Sequence, residues 1–291
     1  MIDKNSTKEE VLEAVTKDGY ALRDASDELH GDRDVVLAAL RQNGAALRFA
    51  SEELKANRGV VMEAVREWGY ALNYASEELK DDREFMLEAV TEDWLALEYG
   101  STEFKDDKEI VLAAVKQNGW ALQYASDELK ADRDVVMAAV KQSGYALNYA
   151  SEELKDDREF TLEAVREWGY ALQYASEELR ADKEFVLAAV KQKGYALKYA
   201  SDELKADRDV VMEAVKQWWG ALQFVSEELR NDKEVVLAAA KQYIECPLKY
   251  ASEELRNDKE VVLAAVRENG DALQYASDEL KSELKKEAKN D

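Results

Sequence analysis

The sequence predicts an all-α fold, an α-solenoid of about eleven two-helix repeats that forms an elongated superhelix. The chain of 291 residues repeats itself every 25 residues, and the clearest copy is DRDVVMAAVKQSGYALNYASEELKD at 132–156. Apolar residues within the copy follow helical spacing, and the whole chain contains one proline. A single copy cannot bury enough apolar surface to offset an ordering entropy of roughly 1.5 kcal/mol per residue. Each copy must therefore stack on its neighbours.

The first half of the copy at 132–156 has the signals of a longer helix, helix A. Asp132 is predicted to be the N-cap, because its side chain can accept hydrogen bonds from the free N–H groups of the first turn. An apolar stripe within 135–140 has the i, i+1, i+4, i+5 spacing of one helix face. Gly144 is expected to end the helix in the left-handed conformation.

The second half of the copy predicts a shorter helix B over 145–150. Leu147 and Ala150 are expected to face inward, toward the neighbouring copy. A serine follows in every copy, Ser151 in this one, and is predicted to cap one more helical turn that ends at Leu154. No catalytic base recurs beside this serine, so a structural role is favoured.

The period also predicts how the array is organised. One helix A position is alanine in every copy, from Ala14 to Ala265, which predicts a close contact between adjacent A helices. In the first copy Glu10 and Asp24 replace apolar or aromatic residues, as the polar outer face of a terminal repeat requires. The chain is predicted to be one array over 1–291, with a capping repeat at about 7–31, regular repeats at about 32–256, a last full repeat at about 258–282 and a polar, frayed tail at 283–291.

A formal net charge of −23 bears on the possible partners. So acidic a chain should repel phosphates, and neither nucleic acid nor a membrane is expected as a partner. No apolar run is long enough to span a membrane and the N-terminus lacks an apolar signal core, so a cytoplasmic location is expected, with signal-independent export left open. The single Cys246 excludes an intramolecular disulfide and suits a reducing compartment.

The residues that could support catalysis or metal binding do not form a recognisable arrangement. His30 stands where other copies have Lys or Arg and is expected to be a solvated surface residue. Cys246 lies in the irregular segment YIECP, and a loop irregularity is favoured there over a reactive thiol. Acidic pairs such as Asp81–Asp82 are interpreted as helix caps, because no known calcium-loop pattern surrounds them. The sequence therefore predicts a non-enzymatic protein without a cofactor or metal.

Aromatic residues concentrate at the corner between helices A and B, and the following set is called the corner ridge. Its members are Trp68, Trp94, Trp120, Trp168, Trp218, Trp219, Tyr70, Tyr145, Tyr170 and Tyr195, and the same corner also contains Tyr20 and Tyr243. Neighbouring residues at this corner vary between copies, which favours partial exposure, and Trp and Tyr are frequent at protein-binding hot spots. Trp68 and Trp168 also extend the inner stripe of helix A by one turn, so packing between corners is the alternative.

Written out in full, the repeat resembles a known family. DKEVVLAAVRENGDALQYASDELK at 258–281 and its sister segments are similar to the tandem helical repeats of DUF4116, a domain of unknown function, over about residues 7–281. The resemblance implies a helical array of a kind found mainly in bacterial and protist proteins, with no common enzymatic activity and no catalytic residues to identify. The sequence departs from the pattern at 93–95, 218–220 and 243–247, where the geometry of the corner is expected to differ.

Three functions are compatible with these observations. The first is a protein–protein interaction scaffold, with a monomer favoured, that binds a protein partner of open identity through the corner ridge. The second is an anionic surface that mimics nucleic acid or acts as an electrostatic decoy for a basic protein. The third is a purely structural spacer rod. Enzymatic activity is the least expected.

Overall fold

A computed structural model describes residues 2–241 and 247–287, and every regular element in this part of the chain is helical. These residues contain no strand, which confirms the predicted all-α class of tandem 25-residue repeats. The chain is divided into two compact units, Met1–Ser151 and Glu152–Asp291. None of the described helices is long and apolar enough to cross a membrane.

Each copy contributes one longer α-helix, helix A, of eight or ten residues. In the first unit the A helices are Lys8–Val15, Arg33–Leu40, Arg58–Glu67, Arg83–Glu92, Lys108–Gln117 and Arg133–Gln142. In the second unit they are Arg158–Glu167, Lys183–Gln192, Arg208–Gln217, Lys233–Ala240 and Lys259–Glu268. Successive A helices pack side by side within each unit, as stacked repeats require.

Helix B is a short 3₁₀ helix in almost every described copy, because its hydrogen bonds join residues three apart. The N–H of Ala146 donates to the carbonyl of Ser143 at 2.9 Å, for example. The first unit contains Gly19–Asp24, Gly44–Phe49, Gly69–Tyr74, Gly119–Tyr124 and Gly144–Tyr149. The second unit contains Gly169–Tyr174, Gly194–Tyr199, Trp219–Phe224, Pro247–Lys249 and Gly270–Tyr275.

A third helical piece, helix C, follows the recurring serine, as predicted. In the first unit the C helices are Asp27–His30, Glu52–Lys55, Glu77–Lys80, Thr102–Lys105 and Asp127–Lys130. In the second unit they are Glu152–Asp156, Glu177–Ala181, Asp202–Lys205, Glu227–Arg230, Glu253–Arg256 and the longer Asp278–Glu287. The serine side chain caps helix C: Ser126 Oγ accepts a hydrogen bond from the Leu129 N–H at 3.2 Å.

The core of each unit is formed by the apolar faces of helices A and B. Leu147 is fully buried and Ala150 is nearly so, as the sequence predicts. Thr161 is the one fully buried polar residue among those described. Its hydroxyl lies 3.2 Å from the carbonyl oxygens of both Leu154 and Lys155, so the buried hydroxyl has hydrogen-bond acceptors.

The prediction that Gly144 adopts the left-handed conformation is wrong, since no described residue has a positive φ. The glycine at this position instead permits close contact with the next copy. A Cβ on Gly44 would lie 2.5 Å from the carbonyl oxygen of Ala64, and one on Gly194 would lie 2.6 Å from that of Ala214. The recurring alanine therefore marks the approach of the preceding copy's glycine to helix A.

A backbone hydrogen bond also joins successive copies at helix C. The N–H of Ser51 donates to the carbonyl of His30 at 2.9 Å, and that of Ser226 donates to Lys205 at 3.1 Å. The expectation of a solvated His30 is wrong, because its side chain is only 20% exposed. Its Nε2 lies 2.8 Å from the carbonyl oxygen of Leu22, which can only accept, so Nε2–H donates.

Ion pairs connect the first turns of successive A helices, and this set is called the ion-pair ladder. Arg83 contacts Asp107 and Glu109 of the next copy at 2.6 Å each. Asp107 is also the N-cap of its own helix, accepting from the N–H groups of Glu109 and Ile110. The N-cap role predicted for Asp132 is confirmed in the same way. Further rungs are Lys8–Asp32, Lys108–Asp132, Arg158–Asp182, Lys183–Asp207, Arg208–Asp232 and Lys233–Asp258.

One rung of the first unit lacks its acids and provides a test of the ladder. Asn57 and Gly59 stand where other copies have two acidic residues. A Cβ on Gly59 would lie 4.0 Å from Nη2 of Arg33, and Arg33 makes no ion pair with a described residue. We expect Asn57→Asp with Gly59→Glu to raise the free energy of unfolding by about 0.2–1 kcal/mol through the new ion pairs. Thermal unfolding at low salt would measure the gain.

The control for this prediction is Asn57→Asp with Gly59→Ala, which has the same cap, the same acid for Arg33 at position 57 and the same loss of a flexible glycine from helix A. The comparison therefore isolates the ion pair of Arg33 with Glu at position 59. The acidic variant should be the more stable of the two at low salt, and the difference should shrink at high salt. Equal stability of the two variants at low salt would contradict the prediction.

The two ends of the described chain differ from the sequence prediction in detail. Thr7 and Glu10 form a capping box, in which Glu10 accepts from the Thr7 N–H at 2.9 Å and Thr7 Oγ1 accepts from the Glu10 N–H at 3.3 Å. Glu10 therefore begins the first helix as well as making its face polar. At the other end, the segment expected to fray is helical to Glu287, and Glu283 pairs with Lys259 at 2.9 Å.

The departures from the repeat pattern have different outcomes. At 93–95 the corner does differ, because the 3₁₀ helix is replaced by one α-helical turn, Ala96–Tyr99. At 218–220 the expected change does not occur, since the usual 3₁₀ helix forms over Trp219–Phe224. The predictions for Tyr243 and Cys246 concern residues 242–246, which lie outside the described residues.

Candidate functional site

All ten members of the corner ridge lie where helix A is followed by helix B. Trp68, Trp94, Trp168 and Trp218 lie between the two helices, and the other six are within the first two residues of helix B. Five of them expose 40–50% of their surface, namely Trp68, Trp120, Trp168, Tyr145 and Tyr170. The other five, which are Trp94, Trp218, Trp219, Tyr70 and Tyr195, are half-buried. The sequence therefore located the corner, whereas the structure separates its exposed rings from its packed ones.

The direction of the chain after helix A explains the exposure of Trp68. Val65 is the last fully buried residue of the inner stripe, and the helix ends at Glu67. Trp68 has the extended conformation φ −166°, ψ 111°, so the backbone leaves the helix there. Trp168 is also extended. The stripe is thus not continued by these tryptophans, and the interpretation that they lie on the inner face is wrong.

In the first unit, ring contacts connect the exposed tryptophans to tyrosines. Trp68 stacks on Tyr70 with 4.5 Å between ring centroids, and Tyr70 meets Tyr99 of the next copy edge to face at 4.9 Å. Trp120 and Tyr145 lie 6.5 Å apart in adjacent copies. These distances are within the range of favourable aromatic pairs. The rings therefore pack between copies while the outer rings remain exposed.

In the second unit, the ridge forms a continuous series of rings with a cleft. Tyr170 and Tyr195 lie 4.5 Å apart, and Tyr195 and Trp218 lie 5.2 Å apart. Together with Gln192, Lys193 and Gln217 they line a cleft of about 400 Å³. A concave aromatic site with a few polar groups is the usual form of a binding site. Neither glutamine was identified from the sequence.

The charge of the corner reverses between equivalent copies. The segment VTEDWLALEY at 90–99 contains three acids and no base, whereas VKQKGYALKY at 190–199 contains three lysines and no acid. Asp93 and Lys193 occupy the same position, as do Glu98 and Lys198. This difference is visible in the sequence when copies 100 residues apart are compared, and the net charge conceals it.

These charged residues interact with nearby tyrosines, one of which belongs to the corner ridge. Lys198 Nζ donates to the Tyr195 hydroxyl at 2.9 Å. Although burial opposes the effect, this hydrogen bond keeps the pKa of Tyr195 below its usual value. In the copy after the acidic segment, burial and then a hydrogen bond with Glu98 raise the pKa of Tyr124 to about 12.

The most exposed acids lie in the first turn of helix C. The side chain of Glu52 is 88% exposed and that of Glu177 is 91% exposed. No group of His, Cys, Asp or Glu among residues 2–241 and 247–287 is arranged to hold a metal ion. The acidic residues in the first turn of helix C thus form exposed negative charge at a position separate in sequence from the aromatic corner.

The stacked helices and the aromatic corner define an all-helical tandem-repeat protein. The family model described as a domain of unknown function, DUF4116, matches residues 7–55, 57–105, 107–155, 157–205, 207–246 and 245–281. The chain belongs to this family, as its repeat pattern indicated. Comparison with the curated proteins and with the solved structures gave no match.

Proposed function

We propose that the chain is a non-enzymatic scaffold that binds a protein partner through the corner ridge. The observation that supports this most strongly is the set of five rings that are 40–50% exposed, four of which contact neighbouring rings. A large side chain that is already ordered loses little entropy on binding, so it contributes more affinity than a mobile one. Aromatic anchors of this kind are typical of binding hot spots.

The test replaces one exposed tryptophan in each unit, Trp68→Ala with Trp168→Ala. Partners recovered on the wild-type chain from its own cell extract would be identified by mass spectrometry, purified and titrated. We expect the double variant to bind its partner more weakly by about 2 kcal/mol or more, which is roughly 30-fold. Its melting temperature should change little, because both rings are exposed.

The matched control is Glu52→Ala with Glu177→Ala, which also changes one exposed residue in each unit. This variant should keep the wild-type affinity if the ridge makes the contact. A double tryptophan variant that loses thermal stability but keeps its affinity would contradict the proposal and favour a packing role. If the wild-type chain recovers no partner from the cell extract, the result would favour the role of a purely structural spacer rod.

A second candidate is an anionic surface for a basic protein, and the highly exposed acids of helix C favour it. Salt distinguishes the two candidates. Binding through exposed charges should weaken strongly between 50 and 500 mM salt, since the screening length falls well below about 10 Å at the higher concentration. Binding through aromatic contacts should persist, and the glutamate variant should then have no effect.

A further inference from the structure

We infer that the cleft between Tyr170, Tyr195 and Trp218 binds an acidic peptide segment that inserts one large apolar side chain. The inference rests on the proposed function of the corner ridge and adds the chemistry of the partner. It differs from what the net charge of −23 suggests, which is a basic partner. The local charge around the cleft carries the argument.

The cations beside the cleft are exposed. Lys191 and Lys193 are both exposed, and neither makes an ion pair with a described residue. Lys216 is also exposed, and the segment VKQWWGALQF at 215–224 contains no acid. Lysines at these positions are favoured locally, because the last turn of a helix stabilises cations. An anionic ligand would therefore find positive charge on two successive copies.

The groups that line the cleft fit a peptide. The rings of Tyr170, Tyr195 and Trp218 offer apolar surface for one inserted side chain. The amides of Gln192 and Gln217 can each donate to and accept from a peptide backbone. Single-stranded nucleic acid also binds surfaces that combine rings with lysines. The net negative charge of the chain repels a polyphosphate more strongly than a short peptide with a few carboxylates, so the peptide is favoured.

The test uses a fluorescein-labelled peptide with one central Trp and four Asp or Glu residues on each side, followed by fluorescence anisotropy. Lys191→Glu with Lys193→Asp should weaken its binding about tenfold or more, because both changes place repulsive charge at the cleft. Asp at this position caps helix B in the first copy, where Asp18 accepts from the Tyr20 N–H, so the fold should be preserved. Tyr170→Ala should also weaken binding, since it removes an exposed ring of the cleft.

The control variant is Lys285→Glu with Lys286→Glu, which makes the same change in net charge on the exposed last turn of Asp278–Glu287. It should bind the acidic peptide like the wild type. Three results would overturn the inference: no binding of the acidic peptide, equal binding of a peptide with Lys in place of the acids, or tighter binding of an oligothymidine. The Trp68→Ala, Trp168→Ala variant could lose its protein partner and still bind the acidic peptide normally. The cleft would then be intact, and the protein partner would contact another part of the corner ridge.

Discussion

Gly194→Ala should lower the free energy of unfolding by about 1–3 kcal/mol, as overpacking of a tight contact usually does. The added methyl group would lie 2.6 Å from the carbonyl oxygen of Ala214 and 2.9 Å from Cβ of Trp218. Both atoms belong to the next copy. The carbonyl is fixed within helix A, so the contact can be relieved only by moving one copy against the other. The urea midpoint of unfolding would measure the loss.

The chain provides its own control in Gly270→Ala. Gly270 has the same position in the last full copy, but a Cβ there would meet nothing within 4 Å. Both substitutions reduce the conformational entropy of the unfolded chain equally. Where the native site has room for the added methyl group, a Gly→Ala substitution stabilises a protein by up to about 1 kcal/mol. Gly270→Ala should therefore be neutral or stabilising. If the two variants lost the same stability, close contact would not be the reason for the glycine.

The second large effect is expected on acidification, because the ion-pair ladder repeats along both units. The hydrogen bond from Arg83 keeps the pKa of Asp107 below its usual value, and the ion-pair partners of Asp32, Asp182 and Asp232 have the same effect. A carboxyl with a lower pKa in the folded state stabilises the fold above its unfolded pKa of about 3.9. This stability is lost as the pH falls through the folded pKa.

The melting temperature should therefore be nearly constant from pH 7 to about 5 and fall steeply below about pH 4. Each partly exposed pair is worth about 0.2–1 kcal/mol, and the rungs act together. Differential scanning calorimetry across this pH range would test the prediction. A melting temperature that stays constant to pH 2.5 would show that the ladder does not stabilise the fold.

A matched pair of variants separates the ladder from acid denaturation in general. Arg83→Gln should raise the pKa of Asp107 toward its ordinary value, as measured by NMR titration of the carboxyl group, and lower the melting temperature at neutral pH. Arg33→Gln changes the same position of helix A in a copy whose rung has Asn57 instead of an acid. It should leave the melting temperature nearly unchanged. Equal effects of the two variants would contradict the ladder.

Much of the local structure follows from the repeat alone, because its signals are local. Asp132 caps helix A and Ser126 caps helix C through hydrogen bonds to N–H groups two or three residues away. The apolar stripe is buried where the helical period places it. The conformation of the corner was harder to predict, because a six-residue segment is too short to distinguish a 3₁₀ helix from an α-helix by its period.

The errors concern contacts that the pattern of neighbouring residue types does not show. The sequence offered a familiar local explanation for Gly144, the left-handed helix end, whereas no described residue has a positive φ and the equivalent Gly44 and Gly194 pack closely against the next copy. His30 appeared to be a surface residue because Lys and Arg are its equivalents. Its imidazole is nevertheless half-buried against the carbonyl of Leu22. The deciding atom for the glycine belongs to the next copy, and the deciding atom for His30 lies eight residues earlier in the same copy.

The candidate site shows the same division. The sequence alone located the aromatic corner and the family, because both depend on residue types at a fixed period. Only the tertiary structure separated the exposed Trp168 and Tyr170 from the half-buried Tyr195, and only it brought Gln192 and Gln217 to one cleft. The period fixes what each copy contains, whereas exposure and clefts arise from how a copy contacts the next one, through atoms about 25 residues apart in sequence.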